Sequence, residues 1–174
     1  YRGRESEKFP EWIPAPVTPV FKFIAVGRLL DRKGFSEMIE AFAMLRKTNP
    51  AIVLDIYGEG KARKAFESVI AKHQLESSVT LHGMVPNAWK QIYHAHCFIF
   101  PSWYEGFSGA LVEAMMTGVP IIASDIPMNM EAVTKDTTAL VHKVKDTQDI
   151  AAKMKQMISN YPQMMEMGKR ARKE

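Results

Sequence analysis

Two glutamates, Glu105 and Glu113, lie in the stretch EGFSGALVEAM (105–115) with seven residues between them. Glu113 follows Gly109 by four residues, which in a helix is about one turn, or about 6 Å, along the same face. A carboxylate in that position can accept hydrogen bonds from two neighbouring hydroxyl groups, as on a ribose. The alternative for Glu113 is an exposed glutamate on an amphipathic helix, because burying a carboxylate without partners costs several kcal/mol. For Glu105 the alternative is an ordinary acidic residue of a loop.

The start of the helix predicted at 109–117 is suited to an anion. Gly106 and Gly109 loosen the preceding loop, and Ser108 is expected to be the N-cap residue. The N–H groups near 109–111 then have no partner inside the helix, and such groups bind phosphate at helix starts. We expect this place to accept a diphosphate.

A second loop, GRLLDRKG at 27–34, supplies positive charge. Arg28 offers a planar fork for bidentate phosphate contact, and Lys33 adds a compact charge five residues later. The alternative is that both side chains pair with Asp31 or cap the next helix, since surface ion pairs are common and carry little energy.

Apolar runs that alternate with amphipathic segments predict the elements that hold these loops. Strands are predicted at 21–26, 51–57, 78–83, 97–102, 119–124 and 139–141, and helices at 35–45, 61–73, 86–95, 109–117, 128–134, 147–159 and 162–173. Apolar strands followed by such helices indicate an α/β fold, a Rossmann-like doubly wound parallel sheet covered on both faces. Ligands bind such sheets at the carboxyl ends of the strands, so the turns GRLLDRKG, GEG, HGMV and SWYEGFSG should converge on one site.

Three segments are predicted along the chain. Residues 1–20 contain four prolines among charged residues, which is typical of an extended interdomain linker. Residues 21–160 form the predicted domain, and 161–174 form a C-terminal helix. Because the chain begins at Tyr1 with linker-like sequence, we expect it to be a domain of a longer protein.

The composition is that of an ordinary globular domain, with 47% hydrophobic and 24% charged residues among 174. The single cysteine, Cys97, excludes an internal disulfide, and its apolar neighbours indicate a buried thiol in a reducing compartment, which favours a cytoplasmic location. No apolar run is long enough to span a bilayer. The net charge of +4 is scattered except in GKRARKE (168–174), which we expect to be a solvated helix end, so nucleic acid is not an expected partner.

Two further patterns favour structural interpretations. HAHC (94–97) could supply metal ligands, but His96 and Cys97 begin a predicted strand and point to opposite faces, so no metal is expected. The twelve methionines are expected to fill the core and an interdomain surface, because methionine adapts to irregular gaps.

In this order, GRLLDRKG, YGEG, LHG and FPSWYEGFSGALVEAMMTGVPIIAS resemble the nucleotide-sugar-binding C-terminal half of GT-B retaining glycosyltransferases of the GT4 family. The resemblance covers roughly residues 21–160. The glutamate pair, preceded by PS and followed by AM and GVPIIAS, is a specific signature. The segment SDIPMNMEAV (124–133) departs from the glycine-rich segment that the family often has there, which affects the expected rim of the sugar pocket.

By this resemblance, Arg28 and Lys33 match the pair that binds the diphosphate and stabilises it as it leaves. Glu105 matches the catalytic glutamate beside the donor sugar, and Glu113 matches the glutamate that holds the ribose, with Leu111 beside it. Together with the residues at the helix start, the predicted substrate-binding set is Arg28, Lys33, Gly106, Phe107, Ser108, Gly109, Leu111 and Glu113.

Two more contacts follow from the same resemblance. Gly106 and Phe107 match backbone contacts to the hydroxyls of the sugar. The turn at Met84 and Val85 matches the one that lines the base of the nucleotide.

The resemblance implies the donor-binding domain of an enzyme that transfers a hexose from a nucleoside diphosphate sugar, such as a UDP-sugar, to an acceptor hydroxyl in carbohydrate biosynthesis. No metal or other cofactor is expected. The expected partners are the nucleotide sugar and an N-terminal acceptor-binding domain, without which the fragment should bind and not turn over. Peripheral membrane association of the full-length protein is compatible with this function.

Two other interpretations stay open. One is a GT-B-fold epimerase or phosphorylase, because a fold alone does not determine the reaction. The other is a non-enzymatic receiver-like or scaffold domain that binds a protein partner. The scaffold interpretation expects no nucleotide affinity and gives Glu113 no role.

Overall fold

The computed structural model describes residues 9–173, and a six-stranded sheet lies at its centre. The strands are β1 Phe21–Val26, β2 Ile52–Tyr57, β3 Val79–Gly83, β4 Cys97–Phe100, β5 Ile121–Ser124 and β6 Leu140–His142. Their spatial order is β3-β2-β1-β4-β5-β6, and each strand is parallel to its neighbours. This order is that of the Rossmann fold, so the predicted α/β, doubly wound fold class is confirmed.

Helices connect the strands. The α-helices are α1 Phe35–Arg46, α2 Arg63–Lys72, α3 Gly109–Thr117, α4 Pro127–Ala132, α5 Thr147–Ser159 and α6 Tyr161–Lys173. The segment 86–95, predicted as a helix, forms the 3₁₀ helix Ala88–His94. Asn87 enters it with a left-handed φ of 52°, and the extended backbone of Ala95 ends it after seven residues, which leaves only a short, tight helix.

Helices cover both faces of the sheet fully only in the half formed by β4, β5 and β6. All residues of β4, β5 and β6 are buried, as expected for strands with helices on both faces. In β2, buried and half-buried residues alternate instead, so one face of this strand is only partly covered. The 3₁₀ helix that follows β3 contacts β1 and α3, and it is too short to cover β2 as well.

The strand order places two distant loops side by side. Strands β1 and β4 are neighbours, and the chain leaves β1 towards β2 but leaves β4 towards β5 on the opposite side. This is the switch point at which doubly wound sheets open a crevice. Gly34 has a φ of +75°, and a side chain on it would overlap the carbonyl oxygen of Pro101. Glycine is therefore required where the loop after β1 touches the loop after β4.

The described part of the predicted linker, 9–20, contains no helix or strand, but it lies against the domain. Phe9 is fully buried and Trp12 is 8% exposed. The indole N–H of Trp12 donates to the carbonyl of Ala95 (3.1 Å), and its backbone N–H donates to Thr117 (3.0 Å). These aromatic side chains attach the segment to the helices of the domain, which the proline content did not indicate. Residues 1–8 lie outside the described residues.

The basic end of α6 is more than the solvated helix end that was expected. A guanidinium N–H of Arg172 donates to the backbone carbonyls of Phe9 and Met116, and Arg170 donates to Thr137 (2.7 Å). Arg172 thereby satisfies a carbonyl at the end of α3. Methionines on α3 and α6 lie in the core, which confirms part of their predicted role: Met115, Met164 and Met167.

His96 joins the linker segment to the sheet. Its Nδ1 accepts the backbone N–H of Lys22 (2.9 Å), so the ring proton resides on Nε2, which faces the carbonyls of Ala15 and Pro16 at 3.1 Å each. Burial lowers the pKa of His96 below its ordinary value of 6.5, and the positive charge of nearby Lys22 lowers it further. The hydrogen bonds to the two carbonyls raise the pKa, but by less than burial lowers it. A second proton on Nδ1 would break the bond to Lys22.

We expect His96 to make the domain less stable as the pH falls below 6.5. Between 6.5 and the lower pKa in the folded state, the unfolded chain binds a proton that the folded chain does not, and each unit of pKa difference is worth about 1.4 kcal/mol. His96→Gln should remove this part of the decrease when the free energy of unfolding is measured by urea titration between pH 7.5 and 5.

His94→Gln is the matched control, because His94 lies two residues away and is exposed. His142, whose pKa is also lowered by burial, stays in both variants and cancels from the comparison. Equal pH dependence in the two variants would contradict the assignment to His96.

Candidate functional site

Three of the four glycine-containing turns border one cavity at the carboxyl ends of β1, β2 and β3. It has a volume of about 440 Å³ and is lined by Val26, Gly27, Arg28, Tyr57, Gly58, Glu59, Gly60, Met84, Val85 and Ala88. The turns lie so close that a side chain on Gly58 would overlap the backbone of Gly27. The predicted convergence is therefore confirmed for these three turns, whereas the fourth, SWYEGFSG, does not line this cavity and contacts the first turn through Glu105 and Lys33.

Arg28 lines this cavity with an exposed side chain. Within residues 9–173 its guanidinium has no ion pair or hydrogen bond, and Asp31 has no ion pair either. The alternative in which Arg28 and Lys33 pair with Asp31 is therefore wrong. The fork of Arg28 is available to a ligand in the cavity.

Lys33 pairs with Glu105 across the switch point. Their Nζ and Oε2 atoms are 2.6 Å apart, and the two side chains are only 12% and 6% exposed. The hydroxyl of Ser102 donates to the same Oε2 at 2.7 Å. The residues predicted to bind a diphosphate and a sugar thus touch each other. The ammonium of Lys33 has three N–H donors, so pairing with Glu105 leaves donors for an anion.

Trp103 holds the loop that carries Glu105. Its indole N–H donates to Glu37 (2.6 Å), and its backbone N–H donates to the carbonyl of Arg32 (2.7 Å). The ammonium of Lys145 lies 4.5 Å from the centre of its ring, within the range of a cation–π contact. Sequence reasoning missed this residue, because its partners come from three separate segments.

The start of α3 differs from the predicted N-cap in one respect. Ser108 is the N-cap residue, but its hydroxyl makes no capping hydrogen bond and donates to Oδ1 of Asn129 (2.8 Å). The first hydrogen bond of the helix runs from Val112 N–H to Ser108 O. In the part of the chain that the structure describes, the N–H groups of 109–111 have no acceptor. The predicted absence of a partner inside the helix is thus observed for these N–H groups.

A chain of buried polar groups connects Ser108 to the loop of Glu105. Asn129, which is completely buried, donates to the carbonyl (3.1 Å) and the hydroxyl (3.0 Å) of Ser124. The hydroxyl of Ser124 donates to the carbonyl of Ser102 (2.7 Å). Sequence reasoning missed Ser102, Ser124 and Asn129. The available signal was polar residues near the ends of two buried strands, Ser102 and Ser124, and one inside an apolar segment, Asn129.

The remaining predicted residues lie along the same loop and helix. Gly106 and Phe107 are exposed on the loop, and Glu113 is half-buried one turn after Gly109. The side chain of Leu111 is fully buried in the core, so only its backbone N–H can face a ligand.

The structure places the HAHC residues apart from this site. His94 is exposed, and Cys97 is fully buried, which raises the pKa of its thiol well above the ordinary value. Residues 9–173 contain no group of three His, Cys, Asp or Glu side chains arranged to hold a metal ion. Within the same residues, every helix is too short or too polar to cross a membrane.

The sequence matches one family over nearly its whole length. The family model for glycosyl transferases group 1 matches residues 11–174. The chain is 34% identical over 105 residues to an uncharacterized glycosyltransferase of Methanocaldococcus jannaschii, covering 60% of this chain and 26% of that protein. It is 27% identical over 160 residues to the glycogen synthase of Mycobacterium tuberculosis, covering 91% of this chain and 39% of that protein.

A solved structure shares the fold. The pneumococcal O-GlcNAc transferase GtfA, in complex with UDP and GlcNAc, superposes with a TM-score of 0.81 at 25% identity, covering 88% of this chain and 31% of that one. The chain thus spans 26% and 39% of the lengths of the two curated relatives described above.

We expect Lys33→Met and Glu105→Gln each to lower the free energy of unfolding by about 3 kcal/mol, because each change leaves a buried group without its charged partner. The double variant should lose less than the sum of the two, by about 1 kcal/mol or more, in urea unfolding at pH 7.

The control is the exposed pair of Lys169 and Glu166, whose side chains are 59% and 61% exposed. The corresponding changes there should cost less than about 1 kcal/mol. Additive losses for Lys33 and Glu105 would show that their contact is not a coupled ion pair.

Proposed function

Because this chain belongs to the glycosyl transferases group 1 family, we propose that it is the donor-binding half of a retaining GT-B glycosyltransferase of the GT4 family. In this proposal the whole enzyme transfers a hexose from a nucleoside diphosphate sugar to an acceptor hydroxyl, without a metal ion. The observation that carries the proposal is the convergence of Arg28, the Lys33–Glu105 pair and the uncapped start of α3 at one edge of the sheet.

The diphosphate would lie between Arg28, Lys33 and the N–H groups of 109–111. Arg28 supplies a charged fork from the cavity, and the start of α3 supplies backbone donors with about half a positive charge. During transfer the bond between the anomeric carbon and the diphosphate oxygen breaks, and negative charge develops on the diphosphate. Positive groups already in place stabilise that charge more than they stabilise the intact donor.

The Lys33–Glu105 pair supports the placement of the reacting bond. If Lys33 faces the diphosphate and Glu105 the sugar, their contact at 2.6 Å puts the junction of the two ligand parts beside them. The bond that breaks is at that junction. Glu105 is the residue that we propose as catalytic, and Gly106 and Phe107 follow it on the exposed loop towards the sugar.

The nucleoside would occupy the cavity beyond Arg28. Met84 and Val85 line that cavity and would contact the base. Glu113, one turn into α3 on the side of Gly109, would accept hydrogen bonds from the ribose hydroxyls. We propose uridine as the nucleoside, because the structural relative GtfA holds UDP and GlcNAc.

The other parts of the proposal concern the whole protein. The acceptor would be bound by an N-terminal domain, so this chain alone should bind the donor and not transfer the sugar. The enzyme would work in the cytoplasm, in carbohydrate biosynthesis, and peripheral membrane association of the full-length protein is compatible with that role.

Calorimetric titration of the chain with UDP, GDP and ADP at low salt tests the proposal. We expect selective binding of UDP. Arg28→Ala should weaken it about tenfold, because a charge-assisted contact to the diphosphate is lost, and Glu113→Gln should weaken it by a similar factor through the ribose.

Matched controls separate these effects from general charge. Lys155→Ala removes a positive charge from an exposed position on α5, and Glu76→Gln removes a negative charge from the exposed turn before β3. Neither should change the affinity more than about twofold. Absence of binding by both this chain and the full-length protein would favour the scaffold interpretation. With the full-length protein, the anomeric configuration of the product, measured by NMR, tests retention, and an epimerised free sugar would indicate the epimerase.

A further inference from the structure

We propose that Asn129 is a positioning residue that keeps the start of α3 uncapped, so that its N–H groups remain free for the diphosphate. The inference rests on the proposed function for its ligand. Asn129 itself has no exposed surface and would not touch the substrate. It would act through Ser108, the N-cap residue of α3.

A serine at the N-cap ordinarily accepts a hydrogen bond from the N–H of the second or third helical residue, and this bond stabilises the helix. In α3 those N–H groups belong to Ala110 and Leu111. A hydroxyl bound there would occupy a donor that the diphosphate needs. The observed hydroxyl of Ser108 makes no such bond and is directed to Oδ1 of Asn129 at 2.8 Å.

The amide of Asn129 is fixed in the orientation that holds this hydroxyl. Its NH₂ group donates to the backbone carbonyl of Ser124, which can only accept. The amide nitrogen must therefore face Ser124, and the amide oxygen must face Ser108. The same nitrogen also lies 3.0 Å from the hydroxyl of Ser124. An apolar residue in this place would release Ser108 to cap the helix.

The other end of the chain reaches the proposed catalytic carboxylate. Ser124 donates its hydroxyl to the carbonyl of Ser102, whose own hydroxyl donates to Glu105. One buried side chain, Asn129, thus contacts both the segment that orients Glu105 and the residue that starts α3. Asn129 thereby fixes the position of the proposed diphosphate site relative to the proposed sugar site.

Hydrogen exchange of the backbone amides tests the inference without a ligand. In the unaltered chain the N–H groups of 110 and 111 should exchange rapidly. In Asn129→Ala at least one of them should slow about fivefold, because a capping bond of about 1 kcal/mol forms. The double variant Asn129→Ala/Ser108→Ala should exchange rapidly again. If alanine prevents folding, Asn129→Leu fills more of the volume and removes the same acceptor.

Titration with UDP is the second readout. Asn129→Ala should weaken binding about fivefold, because the ligand must displace the capping hydroxyl, and the double variant should bind more tightly than this single variant, because the competing hydroxyl is gone. Thr138→Ala is the control for loss of a buried polar side chain. Thr138 is fully buried, and its hydroxyl accepts the N–H of Thr134 (2.8 Å). It precedes β6 and so lies at the amino ends of the strands, away from the proposed site. This control variant should leave UDP affinity unchanged.

The outcomes separate the two proposals. Unchanged exchange and unchanged UDP affinity in Asn129→Ala would overturn the role of Asn129 while the donor site stands. A double variant no better than the single one would show that Asn129 does not act through Ser108. If the unaltered chain binds no nucleotide, the donor site fails, and the exchange rates still decide whether Asn129 keeps α3 uncapped.

Discussion

The ion pair between Lys33 and Glu105 is the contact on which the site depends. It joins the loop after β1 to the loop after β4, where Gly34 also meets Pro101. Both charged groups are largely buried, so moving either loop away would leave a buried charge without its partner and would lower the free energy of unfolding. The strand order brings these loops together, because β1 and β4 are neighbours in space although 70 residues separate Val26 from Cys97 in sequence.

The ion pair also determines which positive groups of the site attract an anionic ligand most strongly. The charge of Lys33 is balanced by Glu105, so among the residues proposed to hold the diphosphate the positive charge that is not already balanced comes from Arg28 and the uncapped start of α3. A fork and a row of backbone donors suit a diphosphate better than a single carboxylate, because a diphosphate presents several oxygen atoms to both at once. Lys33 can share its remaining N–H donors with the same ligand and stay bonded to Glu105.

The parts of the structure that could be predicted from sequence follow from local periodicity. The strands, the bounds of α3 and α5, and the convergence of the glycine-containing turns depend on hydrophobic patterns and on the geometry of parallel sheets. The contact between Lys33 and Glu105 depends on which loops meet across the sheet, and periodicity carries no such information. The attachment of the linker segment by Phe9 and Trp12 likewise depends on distant surfaces. The direction of the Ser108 hydroxyl depends on a single buried neighbour, Asn129.

The buried polar chain is best explained by orientation and not by stability. A buried hydrogen bond contributes only about 1 kcal/mol net, and replacing both partners with apolar groups of similar shape is often neutral. Ser102, Ser124 and Asn129 are buried beside the apolar core, at the carboxyl ends of β4 and β5 and in α4. Polar groups differ from apolar ones in having directions. The hydrogen bonds of this buried series orient the carboxylate of Glu105 at one end and hold the Ser108 hydroxyl away from the start of α3 at the other.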